Sequence, residues 1–402
     1  MTTTTEIAIP QSEEDIAPSW VQQVLQKDLP GVTITDVHVK GSISEGEGTM
    51  SDIIAFDAEG TRNGASQHYS LVAKLTNFEL PLTVMKQFPK DLHIRAETTE
   101  VKFFSDAVPE LLSVAIPSTE RKSKPKAGNE DDEDNPSADS WLLPKCFFAA
   151  TDRSSMVSVR VMENLKAQGF SIKPDRQPLS REEMMLAVGA LAQVHGLSHQ
   201  LEVRSGKPLP EKYDWILTGS DIAAMMARAT YQNAVKGFAA AFPDQVDLVA
   251  RLEKLTMDPR LTVEEDSRLK VLCHGDCWLN NIMIKRVGDV PTDARLVDWQ
   301  LPTYKPPTYD LTLLFLCNTT WDVFHNHRDA ILAHYHRKLQ ETLCPFESSG
   351  LQHYTLEELK ADFKADCLLG VINRFLRVRM VGLPADQDLL RIIQEIQEWG
   401  VI

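Results

Sequence analysis

The chain has 402 residues, 43% hydrophobic and 25% charged, which suits a globular protein of two lobes with a real core. Its 57 Asp and Glu outnumber its 42 Lys and Arg, giving a formal net charge of -15. That balance argues against binding a nucleic-acid backbone and against docking on an anionic membrane surface.

The N-terminus, MTTTTEIAIPQSEEDIAPSW, has no basic start and no apolar run, so no signal peptide is expected. No later stretch is apolar for long enough to suggest a transmembrane helix. Strands dominate next. Val37 and Val39 alternate with polar residues up to Gly41, and Glu45-Gly46-Glu47-Gly48 leads into the short apolar run Ile53 to Phe56. Asn63-Gly64 is a turn signal. The segment Tyr69 to Leu75 has period 2, which puts Val72 and Lys74 on one face and Leu71, Ala73 and Leu75 on the other. A helix is predicted over about Arg95 to Ala107, with Pro109 ending it or lying just beyond. Residues 121–140, RKSKPKAGNEDDEDNPSADS, read as a solvated, disordered insertion.

A strand follows at Val157 to Met162. Ser180-Arg-Glu-Glu183 is a capping box opening a helix with Met184, Val188, Leu191 and His195 at helical spacing. The remainder is mostly helical, with one interruption from Lys270 to Gln300 that reads as a loop followed by a hairpin. A second capping box, Thr355 to Glu358, starts a later helix burying Leu359 and Phe363. The six cysteines are spread along the chain, which fits reduced thiols in the cytoplasm better than a disulfide framework. Cys273 and Cys277 flank His274, but a C-x3-C pair without a second pair makes a poor zinc site.

The strongest local signal is His274-Gly275-Asp276-Cys277-Trp278-Leu279-Asn280-Asn281, followed beyond the hairpin by Leu296-Val297-Asp298-Trp299-Gln300. Phosphoryl transfer needs an acceptor hydroxyl held in line, a metal on the phosphate oxygens and positive groups for the remaining charge. Asp276 can orient that hydroxyl or take its proton. Asn281 and Asp298 offer hard oxygen ligands for Mg2+. Upstream, Lys74 is a charge inside an apolar strand, where it needs a partner or ligand. ATP phosphates and the helix carboxylate Glu100 would satisfy it. Val72 shares its face and can pack on adenine. Gly46 and Gly48 lie between two strands, where bare backbone can approach phosphates. Met162, Glu163, Asn164 and Leu165 leave a strand where the backbone can meet the adenine edge. The plain alternatives are that Lys74 snorkels from an edge strand, that Glu100 is a helix-surface charge, and that His195 is a satisfied core histidine.

With these elements in this order, the chain resembles the ecdysteroid kinase-like family, within the choline kinase and aminoglycoside phosphotransferase group. The resemblance spans about residues 30 to 380 and is most specific in LCHGDCWLNNIM and LVDWQ. It implies an α+β, protein kinase-like fold: an N-terminal antiparallel sheet lobe with a helix (1–162) and a mostly helical C-terminal lobe (163–402). It also implies transfer of the ATP γ-phosphate to a small-molecule hydroxyl by a cytoplasmic enzyme expected to be monomeric. His274 and Asp310 then support the site, Asp310 by accepting backbone N–H bonds. The metal segment reads Asp298-Trp299-Gln300 where protein kinases have Asp-Phe-Gly, which argues against a protein-kinase-type switch there. The other readings kept open are a nucleotide- or partner-binding pseudokinase and a choline-like or aminoglycoside-like acceptor in place of a steroid-like or other lipophilic one.

Overall fold

The computed structural model describes residues 7–43, 51–79, 90–115, 143–216, 221–255, 268–343, 350–380, 382 and 385–402. The expected insertion at 121–140 and the Gly46–Gly48 segment lie outside the described residues. The chain divides into two compact units, one of the described residues up to 112 with 143–171, the other of 113–115 with 172–402.

In the first unit a short helix α1 (Pro18–Leu25) precedes the strands β1 (Val32–Ser42), β2 (Asp52–Arg62) and β3 (Ala65–Asn77). β4 (Cys146–Asp152) and β5 (Val157–Glu163) complete an antiparallel sheet of order β1-β2-β3-β5-β4. The β2–β3 turn is Asn63-Gly64, both at positive φ (52° and 81°), as a tight right-twisting hairpin requires. β3 is therefore a central strand, and Lys74 does not lie on an edge. Alternation divides it as expected: Leu71, Ala73 and Leu75 join the apolar core under α1 with Trp20, Val24, Phe56 and Val161, whereas Val72 and Lys74 do not.

The helix after β3 differs from the sequence expectation. α2 (Lys90–Lys102) starts earlier than Arg95, runs into a π-helical turn at Phe103–Ala107, and continues as α3 (Val108–Ala115) straight past Pro109. The π turn accounts for this. Val108 N–H bonds back to Phe103 O, five residues earlier, and the widened turn accommodates the missing proline N–H and its ring. A two-residue strand, β6 (Phe170–Ser171), ends the first unit.

The second unit is built on α4 (Arg181–Ser205), capped as expected by Ser180, whose side chain accepts from Glu183 N while Glu183 accepts from Ser180 N at 2.8 Å. Met184, Val188, Leu191 and His195 are all buried on it. α5 (Leu209–Lys212), α6 (Asp221–Ala241) and α7 (Val246–Leu255) follow. The predicted hairpin is β8 (Ile282–Val287) with β9 (Val290–Leu296). The sequence reading missed β7 (Val271–Cys273), which pairs with β10 (Thr303–Lys305) and clamps both ends of the loop-and-hairpin segment. Three residues per strand carry too little periodicity to be read. α8 (Thr308–Asn318), α9 (Arg328–Leu343), α10 (Leu356–Met380) and α11 (Gln387–Glu398) complete the unit, with α4 packed on α9 and α8 on α10. Sheet and helices are thus segregated, as in an α+β protein. No helix among the described residues is long and apolar enough to cross a membrane.

Candidate active site

Lys74 and Arg160 are cross-strand partners on β3 and β5, and both reach toward α2. Lys74 Nζ donates to Glu100 Oε2 at 2.7 Å, and Arg160 Nη2 donates to Glu97 Oε2 at 2.5 Å. Arg160 Nε also lies 3.3 Å from Glu100 Oε2, so the two pairs form one cluster of two cations and two anions. Thr76 donates to Glu97 at 2.6 Å and Ser51 at 3.0 Å. Lys74 is 9% exposed, Glu100 1%, and Arg160 and Glu97 not at all. Burial alone would raise the Glu97 carboxyl, but Arg160 and then Lys74 outweigh it and hold the group at about 2. Glu100 is therefore not a helix-surface charge.

Of the remaining predicted nucleotide residues, Val72 and Met162 sit opposite each other on β3 and β5. The Glu163 amide donates to Lys145 O at 2.9 Å and the Asn164 amide to Ser70 O at 3.0 Å. Among the described residues the Leu165 amide has no backbone acceptor.

In the second unit, Gly275 turns the chain at φ +80°, where a Cβ would fall 2.0 Å from Leu301 O, so only glycine fits. Asp310, fully buried at the start of α8, accepts from His274 N (2.6 Å) and Gly275 N (2.9 Å). Its Oδ2 also meets His195 Nε2 at 3.2 Å, and His195 Nδ1 meets Tyr335 Oη at 2.8 Å. Burial opposes ionisation of Asp310, but His195, His274 and the Gly275 amide bring its carboxyl below the ordinary range. His274 accepts from Asp276 N on Nδ1 (3.2 Å), donates from Nε2 to Val297 O (2.9 Å), and packs on Trp299. It therefore ties the Asp276 loop to the residue before Asp298.

Asn281 gives both amide hydrogens to Asp276, one to its carbonyl (2.9 Å) and one to Oδ2 (3.0 Å). The Asn281 carboxamide oxygen takes no part in these two bonds. Val297 N donates to Asn281 O at 3.0 Å, so Asp298 follows directly on a residue bonded to Asn281. Asp298 adopts φ 66°, a left-handed conformation that aspartate tolerates better than most side chains. Gln300 Nε2 donates to its Oδ2 at 2.9 Å, while the buried Gln300 Oε1 has no partner among the described residues. An amide oxygen, a carboxylate and an orphaned acceptor suited to a metal-bound water together fit magnesium, which prefers hard oxygens and keeps part of its hydration shell.

Sequence reasoning missed two cations. Arg160 carries the same signal as Lys74, a charge in the middle of an apolar strand. Arg377, on α10, donates through Nη2 to Asp276 Oδ1, and nothing local to Asp276 announces it. Cys273 falls in a buried cluster with His195 and Asp310, but Asp310 is engaged by the loop amides and the thiol is pushed well above its ordinary range, first by burial. This is a hydrogen-bonded core cluster and a poor metal site.

The family model of the ecdysteroid kinase-like family matches residues 45–346, well over half the chain. The chain belongs to the ecdysteroid kinase-like family. As a member, this ecdysteroid kinase-like protein is a small-molecule kinase, a phosphotransferase with an alcohol group as acceptor. Among solved structures the ecdysteroid kinase-like chain is similar to a spectinomycin phosphotransferase in complex with ADP and spectinomycin (TM-score 0.40, 13% identity, 94% of this chain and 93% of that one). It is similar to an ADP-bound aminoglycoside phosphotransferase, APH(2'')-Ib (0.37, 13%, 94% and 95%). It is also similar to the GDP complex of an aminoglycoside 2'-phosphotransferase (0.35, 14%, 95% and 97%). No curated protein sequence matches it.

Proposed function

We propose that this protein transfers the γ-phosphate of ATP, with magnesium, to a hydroxyl of a small lipophilic metabolite of the hydroxylated-steroid kind. The observation that supports the reading is the Asp276–Asn281 pair, in which Asn281 donates to the Asp276 carboxylate while its own backbone carbonyl accepts from Val297, the residue before Asp298. In this reading Lys74, held by Glu100, meets the nucleotide phosphates, and Gly46 and Gly48 approach them with backbone. Val72 and Met162 pack on the base. The Leu165 amide, in the segment 162–165, donates to the base edge, since the Glu163 and Asn164 amides are engaged elsewhere. Asn281 and Asp298 would hold the magnesium, which bridges and neutralises phosphate oxygens when bound. Asp276 orients the acceptor hydroxyl and takes its proton. His274 and Asp310 hold the loop in register. Residues 1–162 serve as the nucleotide lobe and 163–402 as the catalytic and acceptor lobe of a cytoplasmic monomer.

The test is a thermal-unfolding titration with ATP, with and without magnesium, followed by ADP release on a panel of hydroxylated steroids, choline-like amino alcohols and aminoglycosides. Magnesium-dependent stabilisation with turnover on the steroid class supports the whole reading. Turnover on an amino alcohol instead overturns the acceptor assignment. Stabilisation without turnover on any class points to a nucleotide-binding pseudokinase.

A further inference from the structure

We propose that Arg377 is a catalytic cation of this kinase, placed to meet the charge of the transferring phosphoryl group beside Asp276. The inference rests on the kinase reading above. Charge on the three equatorial oxygens of that group has to be met by positive groups. The residues between Asp276 and Asn281 are Cys277, Trp278, Leu279 and Asn280, and none is a cation. On the hairpin, Arg286 is paired with Glu183 and Arg295 with Asp293. The cation at Asp276 comes instead from α10, 101 residues further along the chain. That helix begins after residue 346, where the family match ends.

The geometry favours a working role over a surface ion pair. The side chains of Arg377 and Asp276 are 11% and 12% exposed, so the pair is nearly dry and its charges are weakly screened. Asp276 is held on both sides, with Arg377 on Oδ1 and Asn281 on Oδ2. A guanidinium and a carboxamide N–H thus bond the two oxygens of one carboxylate. Arg377 has five N–H donors, of which two are used among the described residues, toward Asp276 and toward Asn373 O at 3.3 Å. The rest can receive an anion without releasing Asp276. Burial opposes the guanidinium charge, but Asp276 reverses this and keeps Arg377 firmly protonated.

The experiment uses the full chain and compares wild type, Arg377→Gln and Arg377→Lys. Unfolding midpoints are read without ligand, with magnesium and ADP, and with magnesium, ADP and aluminium fluoride, a stand-in for the transferring phosphoryl group. The ADP arm tests the kinase reading, and the fluoride arm tests Arg377. Wild type should be stabilised by magnesium–ADP and further by fluoride, the second gain equivalent to about tenfold or more in affinity. Arg377→Gln should keep the ADP gain and lose the fluoride gain, and Arg377→Lys should keep part of it. An undiminished fluoride gain in Arg377→Gln, or no fluoride gain in wild type, overturns the assignment. No stabilisation of wild type by magnesium–ADP overturns the kinase reading instead. If Arg377→Gln does not fold, Arg377→Lys decides, because a point charge cannot reproduce the planar fork and an undiminished fluoride gain there is equally fatal.

Discussion

Replacing Glu97 with Gln removes one charge from the buried cluster and almost no volume. Glu97 is fully buried and touches Arg160, Thr76 and Ser51. Its carboxyl sits at about 2 instead of 4.5, and at about 1.4 kcal/mol per pH unit this is worth about 3 kcal/mol of stability at neutral pH. The folded-state value lies below the unfolded one. The contribution is therefore complete above about pH 4.5 and is lost as the pH falls toward about 2. A second route gives a similar size, since breaking a buried pair by removing one partner costs about 3–5 kcal/mol. For a unit of this size about 3 kcal/mol corresponds to a midpoint lowered by about 6–12 °C. Circular dichroism through thermal and urea unfolding would read this at neutral pH and again near pH 3. The gap between wild type and Glu97→Gln should be full at neutral pH and narrower in acid. A loss under about 1 kcal/mol at neutral pH, or an equal gap at both pH values, would refute the reasoning.

Asp276→Asn should lower ADP release on the active acceptor by about 10²–10⁴-fold while magnesium-dependent nucleotide stabilisation persists. Unchanged turnover would remove Asp276 from the chemistry. Asp298→Ala should make nucleotide affinity the same with and without magnesium, as measured by calorimetry, and a retained magnesium effect would count against its metal role. Gly275→Ala places a Cβ against Leu301 O at a positive φ, so the midpoint of the second unit should fall and the nucleotide shift should disappear. A variant with the wild-type midpoint would show that the loop relaxes. Cys273, Cys277 and Cys367 are buried, and burial pushes their thiols well above the ordinary range. Iodoacetamide should therefore leave these three unlabelled in the native protein and reach them only after unfolding, as peptide mass spectrometry would show.

What could be read from the sequence divides along a physical line. The Lys74–Glu100 pairing was legible because a lone charge in an apolar strand is costly without a partner, and the meeting of Asp276 with Asn281 because a short loop returns residues at fixed spacing. Arg160 obeys the Lys74 rule and was legible in principle. Glu97 was not, because α2 carries charges around its whole circumference and no apolar stripe marks which of them turn inward. Arg377 was hidden by distance, since a basic residue in a helix reads as solvated until tertiary packing brings it against Asp276. Pro109 misled because a proline is normally a helix end, and the π turn that accommodates it has no sequence signature of its own.

The four-charge cluster also bears on regulation. In many protein kinases, activity is switched by moving the helix that carries the glutamate partner of the strand lysine. Here that helix is bolted to two strands at once, through Glu100 to Lys74 and through Glu97 to Arg160. Swinging it away would strand two buried acids and two cations together, at about 3–5 kcal/mol for each broken pair. A binding event supplying only one to three kcal/mol of coupling could not move it. Lys74 is thus held by Glu100 without any nucleotide, and in the reading proposed above it needs no helix movement to meet the phosphates.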